Sequence, residues 1–387
     1  MNLIMQMKKP TIIMAVTNDL VTDQRVDRSC RALTEAGYAV TLVGRRIPDS
    51  LPVSDRPYHT ARMRLLFRRS ALFYAEYNIR LFLRLFFSHA EAFFANDTDT
   101  LLACCCAARL RGKKLIFDAH ELFPEVPELV GRPRIQSVWR WVERHCLSHV
   151  HAAFTVCQSV ADEYAARYGV SMSVVRNLPD GNGCKAVNIQ TSISSRTILY
   201  QGAVNVGRGV REIIDAMQYL PDYKFVVAGN GDLLAELQDY VVHKSWSGRV
   251  QFLGRVVPQQ LRALTGQAQL GVCLLEDLGL NYRYALPNRI ADFAQAGVPM
   301  LATDFCEIRR VLEEYQIGTL TEPCPAVKEG EAYDRYVRRL ADTIVETMHY
   351  WTQLDPEERR RRFARAADDL CWQREKKVLV NKIRAIF

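Results

Sequence analysis

Short apolar runs alternate along the chain with stretches in which apolar residues recur every three or four positions. The runs end in polar residues or glycine, as buried parallel strands do, and the stretches between them have the period of helices that cover a sheet. This alternation predicts an α/β protein with parallel sheets and helices on their faces. The predicted strands are residues 11–16, 39–43, 115–117, 153–156, 198–199, 225–228, 250–253, 271–275 and 299–302.

The length of the chain indicates two domains. It has 387 residues, more than the roughly 250–300 at which a single core stops growing. A turn-rich segment at 177–183 and a polar stretch at 190–196 separate two blocks of strands. We predict two Rossmann-like doubly wound domains facing a central cleft, where the carboxyl ends of such sheets bind ligands. The predicted parts are an N-terminal domain (1–185), a C-terminal domain (186–370) and a C-terminal helix (371–387). Whether that helix packs against the N-terminal domain is left open.

The sequence of the second block contains one short predicted helix with both a start signal and a stop signal. Pro287 suits the first turn of a helix, and Gly297 suits the left-handed residue that ends one. Asn288 and Asp292 are four residues apart and therefore share a face. The helix N-terminus favours phosphate, and the carboxylate of Asp292 could accept hydrogen bonds from ribose hydroxyls. The pattern predicts a nucleotide-diphosphate site, although an ordinary amphipathic helix with a surface aspartate has the same spacing.

A glycine-containing loop follows the first strand of the second block. Gly202 and Gly209 allow the backbone to approach a ligand closely, and Arg208 can pair bidentately with phosphate oxygens. The loop is predicted to hold a phosphate, with a plain strand-to-helix turn as the alternative. It lacks the G-x-x-x-x-G-K-[ST] pattern of a Walker loop.

Polar residues follow three strand ends in the first block. They are expected to meet, because the carboxyl ends of parallel strands lie at one edge of a sheet. His120 is the candidate catalytic residue, although a histidine there could equally cap the next helix. The other candidate site residues in this block are Asp23, Arg25, Asp97, Asp118 and Glu121.

The net charge of +8 is unevenly distributed. Residues 56–87 contain seven arginines and one acid, Glu76, interleaved with leucine and phenylalanine. Such a mixture can lie on an anionic membrane surface. The alternative is a pair of core helices with solvated arginines. No nucleic-acid motif accompanies the charge, so we expect no nucleic-acid partner.

No stretch approaches the roughly 20 apolar residues of a membrane span. The first apolar run is too short for a signal peptide, which predicts a cytoplasmic protein, with a peripheral position on the inner face of the cell membrane left open. The eleven cysteines form no C-x-x-C pair, and Cys104, Cys105 and Cys106 fall in an apolar helical run, where we expect them to be buried. A zinc site or a disulfide framework is not expected.

Taken together, the motifs resemble those of the retaining glycosyltransferases of family 4, which are group 1 glycosyltransferases with the GT-B fold. The resemblance implies that the second domain binds a nucleotide-diphosphate sugar. Many members have glutamate where this chain has Tyr284 and arginine where it has Ala203, which leaves the donor sugar open. The matching segments are 23–26, 36–40, 118–125, 175–180, 202–209, 252–255 and 286–299. The implied donor-binding residues are Gly202, Arg208, Gly209, Tyr284, Leu286, Pro287, Asn288, Arg289 and Asp292.

The resemblance further implies a hexosyl- or related sugar transferase that needs neither a metal nor a cofactor and retains the anomeric configuration. His120 matches a histidine that approaches the donor sugar. We expect the acceptor to be a glycan or a lipid-linked intermediate of cell-surface polysaccharide biosynthesis, which would make the N-terminal domain the acceptor-side domain and Asp23, Arg25, Asp97, Asp118 and Glu121 the acceptor-side candidates. The charge pattern of residues 56–87 would allow this domain to reach an anionic membrane surface. Two alternatives stay open: a nucleotide-sugar epimerase of the same architecture, and a non-catalytic membrane-associated protein with a degenerate site.

Overall fold

The structure is a computed structural model that describes residues 9–21, 23–48, 50–53, 55–181 and 196–387. The chain divides into two compact units. The first unit is Met1–Asn177 together with Glu375–Phe387, and the second unit is Leu178–Arg374. The predicted boundary between residues 185 and 186 lies outside the described residues.

The described part of the first unit contains a parallel sheet of seven strands in the order β3-β2-β1-β4-β5-β6-β7. Its central strands are buried on both faces, which is why they read as continuous apolar runs. The side chains of Ile12, Phe94 and Phe117 have no exposed surface. The strands are β1 (Thr11–Ala15), β2 (Ala39–Arg46), β3 (His59–Arg64), β4 (Ala92–Asn96), β5 (Lys114–Ala119), β6 (Ala152–Thr155) and β7 (Ser173–Val174).

The helices of the first unit connect these strands. Asp23 caps the first of them by accepting a hydrogen bond of 3.1 Å from the backbone N–H of Val26, and Gly112, with φ of 59°, ends the third. They are α1 (Gln24–Glu35), α2 (Ser70–Phe86), α3 (Thr98–Arg111), α4 (Pro133–Cys146) and α5 (Gln158–Tyr168), with short 3₁₀ turns at Phe123–Glu125, Pro127–Leu129 and Leu147–His149.

The described part of the second unit contains a parallel sheet of six strands in the order β10-β9-β8-β11-β12-β13. The strands are β8 (Thr197–Gln201), β9 (Lys224–Ala228), β10 (Val250–Gly254), β11 (Leu270–Cys273), β12 (Met300–Thr303) and β13 (Gly318–Thr321). The helices are α6 (Val210–Ala216, continued by a 3₁₀ turn at Met217–Tyr219), α7 (Leu234–His243), α8 (Pro258–Gln267), α9 (Leu280–Arg283), α10 (Arg289–Ala296), α11 (Cys306–Tyr315), α12 (Gly330–Gln353) and α13 (Pro356–Asp369).

The last helix, α14 (Trp372–Arg384), begins in the second unit and continues in the first. Within the first unit, the buried carboxylate of Glu375 accepts hydrogen bonds of 2.9 and 2.7 Å from Nε and Nη2 of Arg176. This ion pair connects the end of the chain to the segment that follows β7.

Four strands were missing from the predicted set: β3, β4, β7 and β13. Strand β3 lies at the edge of its sheet and is half exposed, so it has no apolar run to mark it. Residues 56–87 therefore form one strand and one helix, and the alternative of two core helices was wrong.

The cysteines differ from the prediction at one position. Cys104 and Cys105 are buried, but Cys106 is exposed on the outer side of α3. Wherever the chain is described, its cysteines are free thiols, and no group of metal-ligating side chains was found there. In the same ranges, every helix is too short or too polar to cross a bilayer.

Candidate active site

His120 lies at the carboxyl edge of the first sheet, between two carboxylates. Its Nδ1 is 3.2 Å from Oδ2 of Asp97, which follows β4, and its Nε2 is 3.2 Å from Oδ2 of Asp118, near the end of β5. The backbone N–H of His120 also donates a hydrogen bond of 2.7 Å to Oδ1 of Asp97. Asp97 thus fixes both the ring and the backbone of the histidine, and Asp118 fixes the ring from the other side.

Arg25 supports this group from the second residue of α1. Its Nε and Nη2 donate hydrogen bonds of 3.1 and 2.6 Å to the two carboxylate oxygens of Asp118, and its Nη1 donates one of 2.7 Å to the backbone carbonyl of Val175. The side chains of Arg25 and Asp118 are only 4% and 3% exposed. The pair therefore lies beneath His120 and orients it.

The neighbouring charges decide the protonation of this group. Burial disfavours the imidazolium, but Asp97 and Asp118 outweigh it and raise the pKa of His120 to about 9. Burial likewise opposes ionisation of Asp118, yet Arg25 and His120 hold the pKa of this carboxyl well below its usual range. Burial raises the pKa of Asp97 to about 8, against the lowering effect of His120. His120 and Asp97 therefore titrate as a coupled pair, and Asp118 is the partner of the histidine that is ionised at neutral pH.

Asp97 has an unusual backbone conformation, with φ of 64° and ψ of 164°. This region is essentially restricted to glycine, and occupying it costs on the order of 1–3 kcal/mol. The backbone N–H of Asp97 donates 2.9 Å to the carbonyl of Asp118, so the strained residue is tied to the same strand end. Strain of this kind concentrates at functional sites.

The other acceptor-side candidates occupy the same edge. Asp23 is the N-cap of α1, and Glu121 is half-buried directly after His120. Asp99, in the first turn of α3, accepts a hydrogen bond of 2.5 Å from Thr17, and burial raises its pKa to about 7. Thr17 was not predicted as a site residue, although it lies just beyond β1 and therefore at the same edge of the sheet.

The second unit has a cavity of about 340 Å³ at the carboxyl end of β8 and the start of α10. Six of the predicted donor-binding residues meet there, together with three residues that the sequence reasoning did not select. Its lining consists of Gln201, Gly202, Ala203, Arg208, Leu261, Pro287, Asn288, Arg289 and Asp292.

Two arginines of this cavity have buried N–H groups without acceptors. The guanidinium of Arg289 lies 4.4 Å from the centre of the Tyr200 ring, and that of Arg208 lies 5.1 Å from the Tyr282 ring. Nη1 of Arg289 and Nε of Arg208 have no hydrogen-bond partner among the described residues. A buried donor left unsatisfied costs roughly 1–3 kcal/mol, and an anion in the cavity would supply the acceptor.

Asp292 is oriented by a chain of hydrogen bonds. Its Oδ2 accepts a bond of 2.9 Å from Nε2 of Gln201, whose Oε1 in turn accepts one of 2.8 Å from the hydroxyl of Thr265. Gln201 was not predicted as a site residue. It is the last residue of β8, directly before Gly202, and a polar side chain at that strand end is the signal that would have found it.

The helix predicted around Pro287 begins later than expected. Asn288 is the N-cap of α10, so Pro287 lies outside the helix, while Gly297 ends it with φ of 69° as predicted. The backbone N–H groups of Ile290 and Ala291 donate, both at 3.0 Å, to the carbonyls of Pro287 and Asn288. The arginine side chains, more than the helix N–H groups, therefore supply donors to the cavity.

The remaining predicted donor residues lie outside the lining of the cavity. Gly209 caps α6 with φ of 70°, and a Cβ there would lie 2.3 Å from Cβ of Leu274, so only glycine fits this close approach. Tyr284 and Leu286 are half-buried between α9 and α10, where Leu286 packs on the hydrophobic core.

Two family models match the chain. The model of Glycosyltransferase Family 4 covers residues 23–181, and that of Glycosyl transferases group 1 covers residues 195–341. The two matches fall on the two units in this order. No protein of curated function gives a significant sequence match.

Solved structures share the fold of the chain at low sequence identity. Sucrose-phosphate synthase from Thermosynechococcus elongatus has a TM-score of 0.76 at 15% identity, over 98% of this chain and 99% of the other. HepE from Anabaena, in complex with UDP-glucose, has a TM-score of 0.70 at 13% identity, over 97% and 99%. The apo lipopolysaccharide outer core galactosyltransferase WaaB has a TM-score of 0.68 at 12% identity, over 98% and 100%. With both family models and two Rossmann-like units, the chain is a glycosyltransferase of the GT-B type.

Proposed function

We propose that the protein transfers a sugar from a nucleotide-diphosphate sugar to an acceptor hydroxyl, with retention of the anomeric configuration. The observation that carries the proposal is the cavity of the second unit, where unsatisfied guanidinium N–H groups of Arg208 and Arg289 adjoin the oriented carboxylate of Asp292. Cationic donors suit a diphosphate, and a fixed carboxylate suits the hydroxyls of a ribose. One cavity thus has groups for both the ribose and the diphosphate of a nucleoside diphosphate.

The arginines have a second task in this proposal, which is to stabilise the leaving group. As the bond between C1 of the sugar and the phosphate oxygen breaks, negative charge accumulates on the diphosphate. Preorganised donors aimed at developing charge are among the largest contributions to catalysis. Arg208 and Arg289 would supply this stabilisation without a metal ion, so the proposed transferase is metal-independent and needs no cofactor.

Retention follows in the proposal from attack on the face that the diphosphate leaves. The acceptor oxygen forms its bond to C1 while the C1–phosphate bond breaks, and the acceptor proton passes to an oxygen of the departing phosphate. His120 would be the catalytic residue that orients the sugar and stabilises charge during this step. Asp97, Asp118 and Arg25 would act through it, because they set its orientation and protonation.

The acceptor in this proposal is a glycan or lipid-linked intermediate of cell-surface polysaccharide synthesis. This assignment rests on the resemblance to family 4 and on the arginine-rich stretch at 56–87, whose outward face carries apolar side chains. The protein would then act in the cytoplasm, on the inner face of the cell membrane.

A binding panel followed by product analysis tests the proposal. Purified protein is screened by thermal shift against nucleoside diphosphates and their sugars, beginning with UDP and UDP-glucose because HepE was solved with UDP-glucose. A ligand that binds only the folded state raises the melting temperature. We expect one diphosphate-sugar and its nucleotide to do so; no shift across the panel would overturn the proposal and favour a degenerate site.

The donor identified in this way is then incubated with protein in water, and the released sugar is followed by NMR. We expect slow hydrolysis whose first product has the anomeric configuration of the donor, at the same rate with and without a metal chelator. An inverted first product would contradict retention, and a rate abolished by chelation and restored by a divalent ion would contradict metal independence. Conversion of the donor to its epimer would identify an epimerase instead.

A further inference from the structure

A second cavity, of about 310 Å³, lies in the first unit where β2 and β3 end. Its lining shares no residue with the His120 group and consists of the last residues of the two strands and the residues that follow them. Four of its lining residues carry positive charge: Arg45, Arg46, Arg64 and Arg68. We refer to it as the arginine cavity.

The strand register places two of these arginines next to each other. Arg46 is the direct partner of Arg64 in the parallel pairing of β2 with β3, and neighbouring strands are only about 4.8 Å apart. Like charges opposite one another across a sheet are destabilising. An anion between the two guanidinium groups would remove this repulsion.

Arg45 is held in place at the wall of the cavity. Its guanidinium lies 4.6 Å from the centre of the buried Phe73 ring, and its Nη1 donates a hydrogen bond of 3.4 Å to the carbonyl of Arg68. Its Nε is buried and has no hydrogen-bond partner in the described part of the chain. The arginine is therefore preorganised and still has a donor to offer.

Three carboxylates of the first unit are paired with arginines that do not line the cavity. Asp27, Asp19 and Glu76 form their ion pairs with Arg56, Arg62 and Arg80. Among the described residues, the four arginines of the cavity have no carboxylate partner. Within the described ranges, the positive charge of the cavity is therefore not offset by an ion pair, although Asp99 interacts electrostatically with Arg45.

Glu76 also fixes the loop that closes the cavity. Its carboxylate accepts hydrogen bonds of 2.9 Å from the backbone N–H groups of both Leu66 and Phe67, and these bonds, the one from Phe67 foremost, lower its pKa. The loop between β3 and α2 is thus tied to the helix. A tied loop suits a preformed site, because less order has to be imposed when a ligand binds.

An exposed apolar stripe runs along α2 beside the cavity. Leu72, Ile79 and Leu83 are 55%, 61% and 48% exposed and share one face of the helix by their spacing. The opposite face, including Tyr77 and Leu81, is buried against the first unit. Apolar side chains flanked by arginines match the chemistry of a membrane surface, where acyl chains adjoin anionic headgroups.

We propose that the arginine cavity binds the phosphate or diphosphate group of a lipid-linked acceptor while the apolar stripe of α2 lies on the membrane. Four guanidinium groups match the charge of a diphosphate, and Arg pairs bidentately with phosphate oxygens. This inference rests on the proposed transferase function and names the class of acceptor. The proposed binding differs from general attraction to anionic lipids because it requires the arginine cavity itself, and the net charge of residues 56–87 would not be sufficient.

Two double variants separate the cavity from the general charge. R64Q/R68Q removes two lining arginines, and the matched control R69Q/R84Q removes two exposed arginines of the same segment that do not line the cavity. Both lower the net charge equally. Binding is measured to phosphatidylcholine vesicles with a minor fraction of polyprenyl diphosphate, to vesicles with phosphatidylglycerol at matched charge, and to inorganic pyrophosphate.

We expect the unmodified protein and the control to prefer polyprenyl diphosphate vesicles by at least about tenfold over charge-matched vesicles, and R64Q/R68Q to lose that preference. Equal weakening in both variants, or no preference in the unmodified protein, would overturn the proposal. If the protein binds pyrophosphate as tightly as polyprenyl diphosphate, the prenyl chain adds no affinity. That result would overturn the lipid assignment and indicate a soluble phosphorylated acceptor.

Binding of the donor nucleotide, measured on the same preparations, keeps this inference distinct from the proposed function. We expect both double variants to bind it as the unmodified protein does, which also shows that they are folded. If nucleotide binding is intact but no phosphate probe distinguishes the variants, this inference fails alone. If the unmodified protein binds no nucleotide, the proposed function fails.

Discussion

Arg25 and Asp118 form a buried ion pair with two hydrogen bonds, of 3.1 and 2.6 Å, and Oδ2 of the same carboxylate lies 3.2 Å from Nε2 of His120. One aspartate therefore neutralises a buried guanidinium and also positions a histidine at the surface of the unit. The first role predicts an effect on the stability of the protein, and the second predicts an effect on the pKa of His120.

Replacing Asp118 by Asn should affect both properties. Arg25 would remain buried with a neutral partner, and leaving one member of a buried pair uncompensated costs about 3–5 kcal/mol. The pKa of His120 should fall because one of its two carboxylates is lost. Denaturant unfolding measures the loss of stability, and the pH profile of transfer measures the change in the pKa of His120. The control is Asp162→Asn, at an exposed position. If the alkaline limb of the pH profile does not shift in Asp118→Asn, Asp118 does not position His120.

His120→Ala should abolish transfer while leaving donor binding unchanged, since the proposed donor contacts lie in the cavity of the second unit. Activity is measured with the donor identified in the binding panel, and affinity by calorimetry. Circular dichroism checks that the variant is folded. Transfer within about tenfold of the unmodified rate would remove His120 from the proposed chemistry, because a positioned catalytic group contributes roughly 10²–10⁴-fold.

Stability should depend on pH through His120 with a definite sign. Its pKa rises from the ordinary 6.5 to about 9 on folding, so the folded state binds the proton more tightly. The resulting stabilisation is complete below about pH 6.5 and is lost as the pH rises through about 9. The stability difference between the unmodified protein and His120→Ala should therefore be larger at pH 6 than at pH 10. A larger difference at pH 10 would contradict a raised pKa of His120 in the folded protein.

Arg208→Ala should weaken binding of the nucleoside diphosphate by roughly 10- to 100-fold, since a hydrogen bond to a charged group contributes about 1.5–3 kcal/mol. Binding of the nucleoside without phosphates should not change. The neighbouring Arg211, which pairs with Glu236 on α7, offers a charge-matched control. If Arg211→Ala weakens binding as much as Arg208→Ala does, the effect is long-range and the contact is absent.

Asp292→Asn should reduce discrimination between ribose and deoxyribose. In the unmodified protein the carboxylate, oriented by Gln201, would accept hydrogen bonds from the ribose hydroxyls, so 2′- and 3′-deoxy nucleotides should bind more weakly. In the variant, removing the ribose hydroxyl should cost little further affinity. The protein substitution and the missing hydroxyl remove the same hydrogen bond, so their effects on binding should not add. Additive losses would place the ribose elsewhere.

The predictable part of the fold rests on local patterns. Nine apolar runs corresponded to observed strands, and Gly297 ended its helix as expected. Strand β3 was missed because it lies at the edge of the sheet and is half exposed, so its sequence contains arginines and no apolar run. The start of α10 was placed too early because Pro287 is compatible with either side of a helix N-terminus.

The sequence predicted which strand ends contribute to the candidate site, but it did not predict the contacts between the side chains. His120, Asp97 and Asp118 were expected at one sheet edge, and the structure places both carboxylates 3.2 Å from the imidazole. Gln201 was not expected, although it directs Asp292. Its role depends on a bond between residues 91 positions apart, and no spacing rule reaches that far.

The sequence by itself determined the alternation of strands and helices, the division into two units and the strand ends at which polar groups gather, because these follow from local periodicity and turn chemistry. Tertiary structure alone decided which groups are charged and which are paired. Arg25 and Asp118 neutralise each other because they are buried together, whereas the buried N–H groups of Arg208 and Arg289 have no described acceptor. Desolvation and pairing depend on three-dimensional neighbours, and only the folded chain defines those.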